Sequence, residues 1–303
     1  TRKESSAASD VYKRQGMGVD ISRVSIRSNN LGDRNRTMVN FFLEHRFYLF
    51  NKSIDITPGI AANYFSDFGS HSFPGIDLGW QLNPKFRLYA NTGVTFRIPT
   101  FTDLYYSDRT SLGNADLKPE EALSNEIGLR YSSPKVTASL AFFNRKAKNL
   151  IDYVKNSNDD SIPFVAQNIQ KVNTSGIDLE LLHSIRVKTL IHEFKFSYSY
   201  LENNLENSGY NFSRYSINNN LKHHFISSYQ LPIGKDLSIH FVYKFVERAS
   251  GDNYSVVDVS ARWMLKQLDV SVYFNNIFNI EYWETNLVPM PKGNGLLGLR
   301  YSF

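Results

Sequence analysis

The feature that most constrains this chain is an alternation of apolar and polar residues with a period of two, which recurs from Gly16 onward. In residues 237–245, for example, Leu, Ile, Phe, Tyr and Phe occupy the odd positions, and Ser, His and Lys occupy three of the even positions. Successive side chains of a β-strand point to opposite faces, so each such segment has one apolar and one polar face. No helical stripe of several turns accompanies it, and the sequence predicts an all-β fold.

About fourteen alternating segments follow one another, and many exceed the ~5–6 residues that are usual for strands of soluble proteins. Their approximate spans are 19–27, 36–49, 53–66, 73–82, 85–97, 122–132, 135–146, 172–184, 191–202, 221–231, 236–247, 254–265, 267–277 and 294–303.

The connections between these segments alternate strictly in length. Short ones are expected at 51–52, 83–84, 133–134, 232–235 and 266, with a slightly longer one at 185–191; long ones are expected at 66–72, 98–121, 147–171, 202–220, 248–253 and 278–293. In an up-and-down antiparallel sheet, every second connection lies on the same edge. The short turns therefore share one rim and the long loops share the other, as in outer-membrane barrels.

Hydropathy agrees with strands rather than helices as the membrane-crossing elements. Mean hydropathy is −0.36, and no run approaches the ~18 apolar residues of a transmembrane helix. A transmembrane strand needs only ~9–11 residues, of which every second one faces lipid. The polar face carries charged residues such as Arg130, Lys195 and Asp258, which suits a wet or plugged lumen. A soluble β-sandwich or propeller, with its apolar faces packed in a core, is the alternative.

Several function classes find no support in the residue types. Cys is absent, so thiolate metal sites and Cys nucleophiles are excluded. No P-loop, nucleophile elbow or His-Glu-x-x-His motif occurs, so we expect no enzyme, no catalytic residues and no cofactor. His223 and His224 are adjacent and would point to opposite faces of a strand, so they cannot chelate one metal ion; we expect no metal site.

The first fifteen residues differ from all that follows. They are polar, show no periodicity and have no apolar stretch of a secretory signal. Residues 10–15 resemble the translation of a sequencing-library adapter, so we interpret 1–15 as a non-native or disordered segment and 16–303 as the structural unit. The segment carries four basic and two acidic residues of a total net charge of +5, so the charge is weak evidence for nucleic acid, and no nucleic-acid partner is expected.

The C-terminal residues form a strand with an aromatic end. Leu297, Leu299, Tyr301 and Phe303 share one face. Gly298, Tyr301 and Phe303 resemble the β-signal by which bacterial outer-membrane proteins are recognised by the barrel assembly machinery. We therefore predict an assembly role for these three residues.

Three segments resemble the C-terminal part of a TonB-dependent outer-membrane receptor. The first and most specific reads FRIPTFTDLYY (96–106), then GNADLKPE (113–120), then the start of a strand at Ser124–Leu129; the second is NNIFNIEY (275–282); the third is the terminal strand. Residues 28–36 and 286–291 are similar to a Bacteroidota-type subgroup often labelled cobalamin or siderophore receptors. The resemblance covers essentially residues 16–303.

The resemblance implies a multi-pass protein of the Gram-negative outer membrane. It implies about 14 strands of a 22-stranded barrel, with the plug and the TonB-binding N-terminal region not included in this chain. The expected function is TonB-dependent uptake of a scarce nutrient, such as a ferric siderophore or cobalamin. Expected partners are TonB, outer-membrane lipid and lipopolysaccharide, the barrel assembly machinery and a small metal chelate or cofactor as ligand. A passive porin-like or adhesin barrel and a soluble carbohydrate-binding protein are the alternatives.

The long loops are the expected place for ligand contacts, because binding residues concentrate on loops held by a rigid scaffold. Arg97 and Asp103 either bind ligand directly or, together with Glu120, pair across the strand tops and anchor the loop. Loop 202–220 is rich in Asn, Ser and Tyr, which suits either a polar ligand or ordinary solvation. The candidate ligand-binding residues are Arg97, Asp103, Tyr105, Tyr106, Tyr210 and Arg214.

Overall fold

The computed structural model describes residues 15–206, 209–213, 220–285 and 288–303, and these are almost entirely β-structure. The strands are β1 (Gln15–Ser28), β2 (Gly32–His45), β3 (Phe47–Leu49), β4 (Ile54–Phe65), β5 (Gly69–Gln81), β6 (Phe86–Arg97), β7 (Ser111–Leu112), β8 (Glu120–Ser132), β9 (Val136–Lys155), β10 (Phe164–Val187), β11 (Leu190–Glu206), β12 (Phe212–Ser213), β13 (Leu221–Ile233), β14 (Leu237–Arg248), β15 (Asn253–Leu265), β16 (Leu268–Asn275), β17 (Trp283–Thr285), β18 (Val288–Pro289) and β19 (Asn294–Tyr301). A single short helix, α1 (Phe101–Tyr105), is described. No helix in these ranges is long and apolar enough to span a membrane.

Fourteen long strands form one antiparallel meander, in which each pairs with the next long strand along the chain. β3 continues β2 beyond Arg46 and also pairs with β4. Within the described ranges, β1 is in register only with β2, and β19 only with β16, so the sheet is open. The predicted all-β, up-and-down antiparallel sheet is confirmed.

The strand register assigns each side chain to one of two faces. Phe241 lies opposite Tyr229 on one side and Val259 on the other, and Val259 lies opposite Phe274, so all four share the apolar face. This face is not packed in a core: Phe274 is 55% exposed and Leu299 is 67% exposed. A sandwich would bury this surface, whereas a membrane barrel turns it to lipid. The structure therefore favours the barrel wall over the soluble alternative.

The turns are segregated as predicted, but their lengths do not alternate strictly. One rim carries only compact connections, including the two-residue turns at Lys188 and Lys266, both with positive φ as tight hairpins require. The other rim carries the longest connections, 98–119, 207–220 and 276–293, and the shorter 156–163, but also the tight turns 29–31, 66–68 and 249–252. The long loop predicted at 66–72 is instead the tight turn 66–68, because β5 starts at Gly69, earlier than the apolar alternation indicates. The connection predicted at 248–253 lies at 249–252, within one residue at each end, but it is a short turn.

The largest difference from expectation is the hairpin of β9 and β10. Residues 147–171 were predicted as a loop, yet β9 runs on to Lys155 and β10 starts at Phe164, so only 156–163 connects them. Residues 151–155 are all buried. Successive residues point to opposite faces, so the hairpin is buried on both faces here; polar and apolar residues no longer alternate and the period-two signal is lost.

The face assignment predicts opposite results for two neighbouring arginine substitutions in the middle of β15. Val259→Arg places a charge on the lipid face, at a cost of ~2–4 kcal/mol near mid-bilayer, and should reduce heat-modifiable, membrane-inserted protein. Ser260→Arg, on the polar face, should insert normally. The two variants are compared by outer-membrane fractionation and gel mobility. Equal insertion of both would contradict the assignment.

Candidate ligand-binding rim

The loop 98–119 starts where β6 ends and is shaped by its first few residues. Pro99 lacks an N–H and cannot extend the strand ladder. Thr100 then caps α1: the Asp103 amide donates to the Thr100 hydroxyl at 3.1 Å, and the Thr100 amide donates to the Asp103 carboxylate at 2.9 Å. This reciprocal capping satisfies backbone donors at the start of the helix and fixes the direction in which the loop leaves the strand.

Arg97 joins three elements at this point. Its guanidinium binds Asp103 of α1 at 3.1 Å and Glu120 of β8 at 2.6 Å. The Asp103 and Glu120 side chains are only 13% and 10% exposed, whereas that of Arg97 is 45% exposed. One guanidinium therefore binds two carboxylates that are shielded from solvent, while part of the guanidinium itself still faces solvent.

The far end of the same loop is tied to the β9–β10 hairpin. The Ile151 amide donates to Glu120 at 2.8 Å. The Asn168 amide side chain accepts from the Lys118 N–H and donates to the Lys118 and Asn149 carbonyls, each at 2.8 Å. Polar side chains here satisfy backbone groups that no strand partner reaches.

A small apolar cluster lies under the loop. Tyr153 of β9 takes part in it and donates from its hydroxyl to the Thr102 carbonyl at 3.2 Å. The buried members are Leu104, Leu117, Ile151, Tyr153 and Ala166. Gly113 closes the loop against the helix, because a Cβ there would lie 2.7 Å from the Tyr105 nitrogen.

The hairpin also gains a short strand on each side. β7 of loop 98–119 pairs in parallel with the start of β10, and β12 pairs antiparallel with the end of β9. β7, the upper parts of β10 and β9, and β12 thus form a four-stranded extension above the rim, which we call the rim platform. Sequence reasoning missed it, because a two-residue strand carries no periodicity.

Arg36 anchors the loop from the opposite side. It is 6% exposed, binds both oxygens of Asp67 at 2.8–2.9 Å and donates to the Pro99 carbonyl at 3.0 Å. Its guanidinium also lies 4.9 Å from the centre of the Phe101 ring. A buried cation in this position is tolerated because its charge and its donors are satisfied.

The tyrosines after α1 are held by polar contacts. The Arg34 guanidinium lies 3.9 Å from the centre of the Tyr105 ring, a cation–π distance. The Tyr106 hydroxyl donates to Asp108 at 2.9 Å. Asn30, in the turn between β1 and β2, bonds the Ser107 carbonyl and amide at 2.6 and 2.9 Å. The loop is therefore ordered against its neighbours.

The predicted pairing of Arg97, Asp103 and Glu120 is confirmed, which gives these residues an anchoring role. Arg97, Asp103, Tyr105 and Tyr106 lie together on one short segment of the rim. Tyr210 lies apart from them, beside Asn211, whose amides bond Asn156 at the end of the hairpin. Arg214 lies outside the described residues. So do residues 286–287 of the segment 286–291 and residues 1–14 of the N-terminal segment 1–15. Direct ligand contact by the six residues stays a prediction.

A second polar cluster forms where segment 276–293 folds over the polar face of β14 and β15. Glu284 makes an ion pair with Lys244 and accepts from the Tyr254 hydroxyl at 3.3 Å. The hydrogen bond and charge of Lys244 hold the pKa of Glu284 below its usual value. The Tyr282 ring packs on Tyr254 with centres 4.6 Å apart. Nothing in the local pattern of 283–285 indicated this contact, since it depends on residues about 40 positions away.

Asn276 starts this fold-back. Its side-chain amide donates to the Ile280 carbonyl and accepts from the Ile280 N–H. Its backbone N–H donates to the Asp258 carboxylate at 2.7 Å. It is 2% exposed. Among the described residues, no group of three or more His, Asp or Glu side chains is placed to hold a metal ion.

An apolar outer face, a polar inner face and ordered loops on one rim define the wall of a receptor-type β-barrel. A family described as TonB dependent receptor-like, beta-barrel matches residues 4–280. The chain belongs to this family, whose members are outer-membrane receptors and transporters of Gram-negative bacteria and not enzymes.

Relatives and solved structures agree with this placement. The vitamin B12 transporter BtuB of Vibrio vulnificus strain YJ016 is 32% identical over 117 residues, 39% of this chain and 18% of the relative. BtuB of Vibrio cholerae is 24% identical over 250 residues, 78% of this chain and 38% of the relative. The siderophore receptor PirA of Pseudomonas aeruginosa shares the fold with a TM-score of 0.74 at 18% identity, over 95% of this chain and 51% of PirA. This chain thus spans about half of that structure and less of the curated relatives.

The Asp108 turn predicts a pH dependence confined to one loop. The Asp108 carboxylate accepts hydrogen bonds from the Thr110 and Ser111 amides and from the Tyr106 hydroxyl. These bonds, of which that from the Thr110 amide has the largest effect, lower the pKa of Asp108 to about 2. Because the folded pKa lies below the usual value, these bonds are fully present above about pH 4 and are lost as the pH falls towards 2.

Amide chemical shifts of Thr110 and Ser111 should therefore start to change as the pH falls below about 4 and should reach their midpoint near pH 2. In Asp108→Asn this titration should be absent, whereas Asp116→Asn in the same loop should leave it unchanged. A Thr110 titration that persists in Asp108→Asn would assign it to another group.

The rim ion pair predicts a contrast between two adjacent residues. Glu120→Gln leaves Arg97 without its shorter ion pair in a largely buried site, at a cost of about 1–3 kcal/mol to loop stability. Glu121→Gln removes only the exposed pair with Lys148, where both side chains are at least 40% exposed, and should cost about 0–1 kcal/mol. Native-state hydrogen exchange at the Leu104 and Asn114 amides measures both. Equal loss of protection would refute the anchoring role of Glu120.

Proposed function

We propose that this chain supplies wall, rim loops and C-terminal strand of an outer-membrane receptor for TonB-dependent uptake of a scarce nutrient. The ligand class is a metal chelate or cofactor, such as a ferric siderophore or cobalamin. The observation that carries the proposal is the rim platform with loop 98–119: an ordered surface at the strand tops with partly exposed tyrosine rings and a partly exposed guanidinium, on the rim that carries the longest loops.

The residue chemistry of this surface suits such ligands. Arg97 keeps part of its guanidinium exposed while it binds Asp103 and Glu120, and a guanidinium can bind carboxylate or phosphate oxygens in a bidentate manner. Tyr105 and Tyr106 are partly exposed and offer rings for stacking with hydroxyls for hydrogen bonding. Tyr210 and Arg214 would add contacts from the neighbouring loop.

The names of the relatives support the choice of ligand class. The similar proteins include transporters named for vitamin B12 and receptors named for siderophores. In the whole receptor, a plug and an N-terminal TonB-binding region would couple the proton gradient to release of the ligand into the cell. The barrel assembly machinery would recognise Gly298, Tyr301 and Phe303: β19 is an edge of the described sheet and presents Leu297, Leu299 and Tyr301 to the outside.

Uptake is tested in cells that carry the native gene as their sole receptor of this kind. We expect accumulation of radiolabelled cobalamin or ferric siderophore that stops when TonB is deleted or the proton gradient is collapsed. Accumulation that continues without TonB would replace this proposal with passive diffusion through a porin-like barrel.

Ligand contact by the loop rim is tested by comparing tyrosine variants on this rim with a tyrosine variant on the opposite rim. The double variant Tyr105→Ala with Tyr106→Ala should weaken ligand binding about tenfold or more, because truncating an aromatic anchor typically costs more than about 1 kcal/mol of binding free energy. Tyr131→Ala, at the end of β8 on the opposite rim, should bind normally. Surface abundance of each variant is measured in parallel. Unchanged affinity in the double variant would remove loop 98–119 from the ligand site.

A further inference from the structure

Two cations of β14 lie on the inner, polar face of the sheet close to the loop rim. Lys244 and Arg248 are each an odd number of positions beyond Phe241, which faces outward, so both side chains point inward. Tyr254 of β15 shares this face, because its partner on β14 is the residue midway between the two cations. A basic and hydroxylic position therefore lies where a ligand captured at the rim would enter.

A carboxylate of the chain itself occupies this position. Glu284 binds the Lys244 ammonium and accepts from the Tyr254 hydroxyl at 3.3 Å. The Arg248 guanidinium donates to the Glu284 backbone carbonyl at 2.7 Å and to that of Trp283 at 3.4 Å. An ammonium and a hydroxyl that converge on one carboxylate are the donors that an anion site requires. An internal side chain thus fills an anion site.

The ion pair is accessible to a solute. The Lys244 and Glu284 side chains are 30% and 36% exposed, so an incoming anion reaches the ammonium without opening the wall. Ion pairs that are this open to water hold their partners together only weakly. Asp258, the one acidic residue of β15, accepts from the Asn276 amide at 2.7 Å instead. Glu284 is therefore the carboxylate that a ligand would have to replace.

The base of segment 276–293 is held independently of this ion pair. The Asn276 side chain donates to the Pro291 carbonyl at 3.4 Å, and the Asn279 side chain accepts from the Gly293 amide at 3.0 Å. These bonds join the two ends of the segment beside the sheet. Release of the Glu284 carboxylate would therefore leave the base of the segment in place.

We propose that Lys244 and the Tyr254 hydroxyl form an anion subsite for the nutrient ligand, and that Glu284 fills this subsite until the ligand arrives. A carboxylate of the incoming metal chelate takes the place of the Glu284 carboxylate, which moves into water. Because the internal occupant is a carboxylate, the ligand class is an anionic chelate that bears carboxylates rather than a neutral one. The inference rests on the proposed function and names one subsite and the charge of its ligand.

The test uses the full receptor, purified from outer membranes of cells that carry the native gene. The probes are an anionic ferric chelate with free carboxylates and a neutral ferric trihydroxamate. Each is titrated into wild type, Glu284→Gln, Lys244→Gln and the double variant. Glu281→Gln is the matched control: it removes the same charge from the same segment, but Glu281 pairs with Lys292 at 3.7 Å, where both side chains are more than half exposed. Heat-modifiable gel mobility verifies that each variant is folded.

Glu284→Gln removes the internal competitor and should tighten binding of the anionic chelate about fivefold, because an occupied subsite lowers apparent affinity by the fraction of protein that is open. Glu281→Gln should change it less than about twofold. In the Lys244→Gln background, the gain from Glu284→Gln should vanish. The double variant should bind the anionic chelate about tenfold more weakly than Glu284→Gln alone, because it lacks the charged donor. The neutral chelate should bind more weakly and equally to all variants.

Four results would overturn the proposal. Weaker binding to Glu284→Gln would reduce Glu284 to a structural anchor, and equal tightening by Glu281→Gln would reduce the effect to general charge. A gain that persists without Lys244 would place the anion elsewhere. Binding of the neutral chelate alone, or of neither chelate, would remove the subsite.

Uptake separates this inference from the proposed function. TonB-dependent accumulation of the neutral chelate or of cobalamin, without any gain in Glu284→Gln, would retain the function and remove the anion subsite. Accumulation that does not require TonB would refute the proposed function and, with it, the assignment of the subsite to a nutrient. TonB-dependent accumulation of the anionic chelate, together with the expected affinities, supports both.

Discussion

Backbone hydrogen bonding between neighbouring strands is the interaction on which the rest of this structure depends. In a hydrocarbon environment, unsatisfied N–H and C=O groups cost several kcal/mol each, so a lipid-facing chain must pair its backbone internally. The fourteen long strands do this with continuous antiparallel registers over most of their lengths. Once the register of the strands is set, successive side chains alternate between the lipid face and the inner face, so the position of a residue in its strand determines its face.

The loop rim follows a different principle, because it lies beyond the lipid. There the order comes from charge neutralisation and side-chain hydrogen bonds to backbone groups. Arg97 binds two carboxylates that are largely shielded from solvent, whereas Arg36 is itself buried and binds Asp67; both arginines reach loop 98–119. The rim platform adds strand pairing above the membrane level, so the surface proposed to bind ligand rests on a rigid support.

The outward face shows that one strand pattern can carry two kinds of surface. Its central band is apolar, as lipid requires. Near the loop rim, Lys146, Lys148 and Lys171 interrupt that band in one place. Interfacial lysines can extend their amines toward the headgroups, and here Lys148 also binds Glu121 of the neighbouring strand at 2.7 Å.

The sequence by itself determined the strand number, the up-and-down order and the face of each residue in the central part of the wall, because these follow from local alternation. It also indicated that Arg97, Asp103 and Glu120 could pair, since Pro99 and Pro119 mark the two strand ends at which Arg97 and Glu120 lie. It did not reveal the upper half of the β9–β10 hairpin, where burial on both faces removes the alternation. Only the tertiary structure decided that Arg36 anchors Pro99, that Glu284 binds Lys244, and that β7 and β12 flank the β9–β10 hairpin. These contacts join residues far apart in the chain, and no local pattern encodes which strand tops meet.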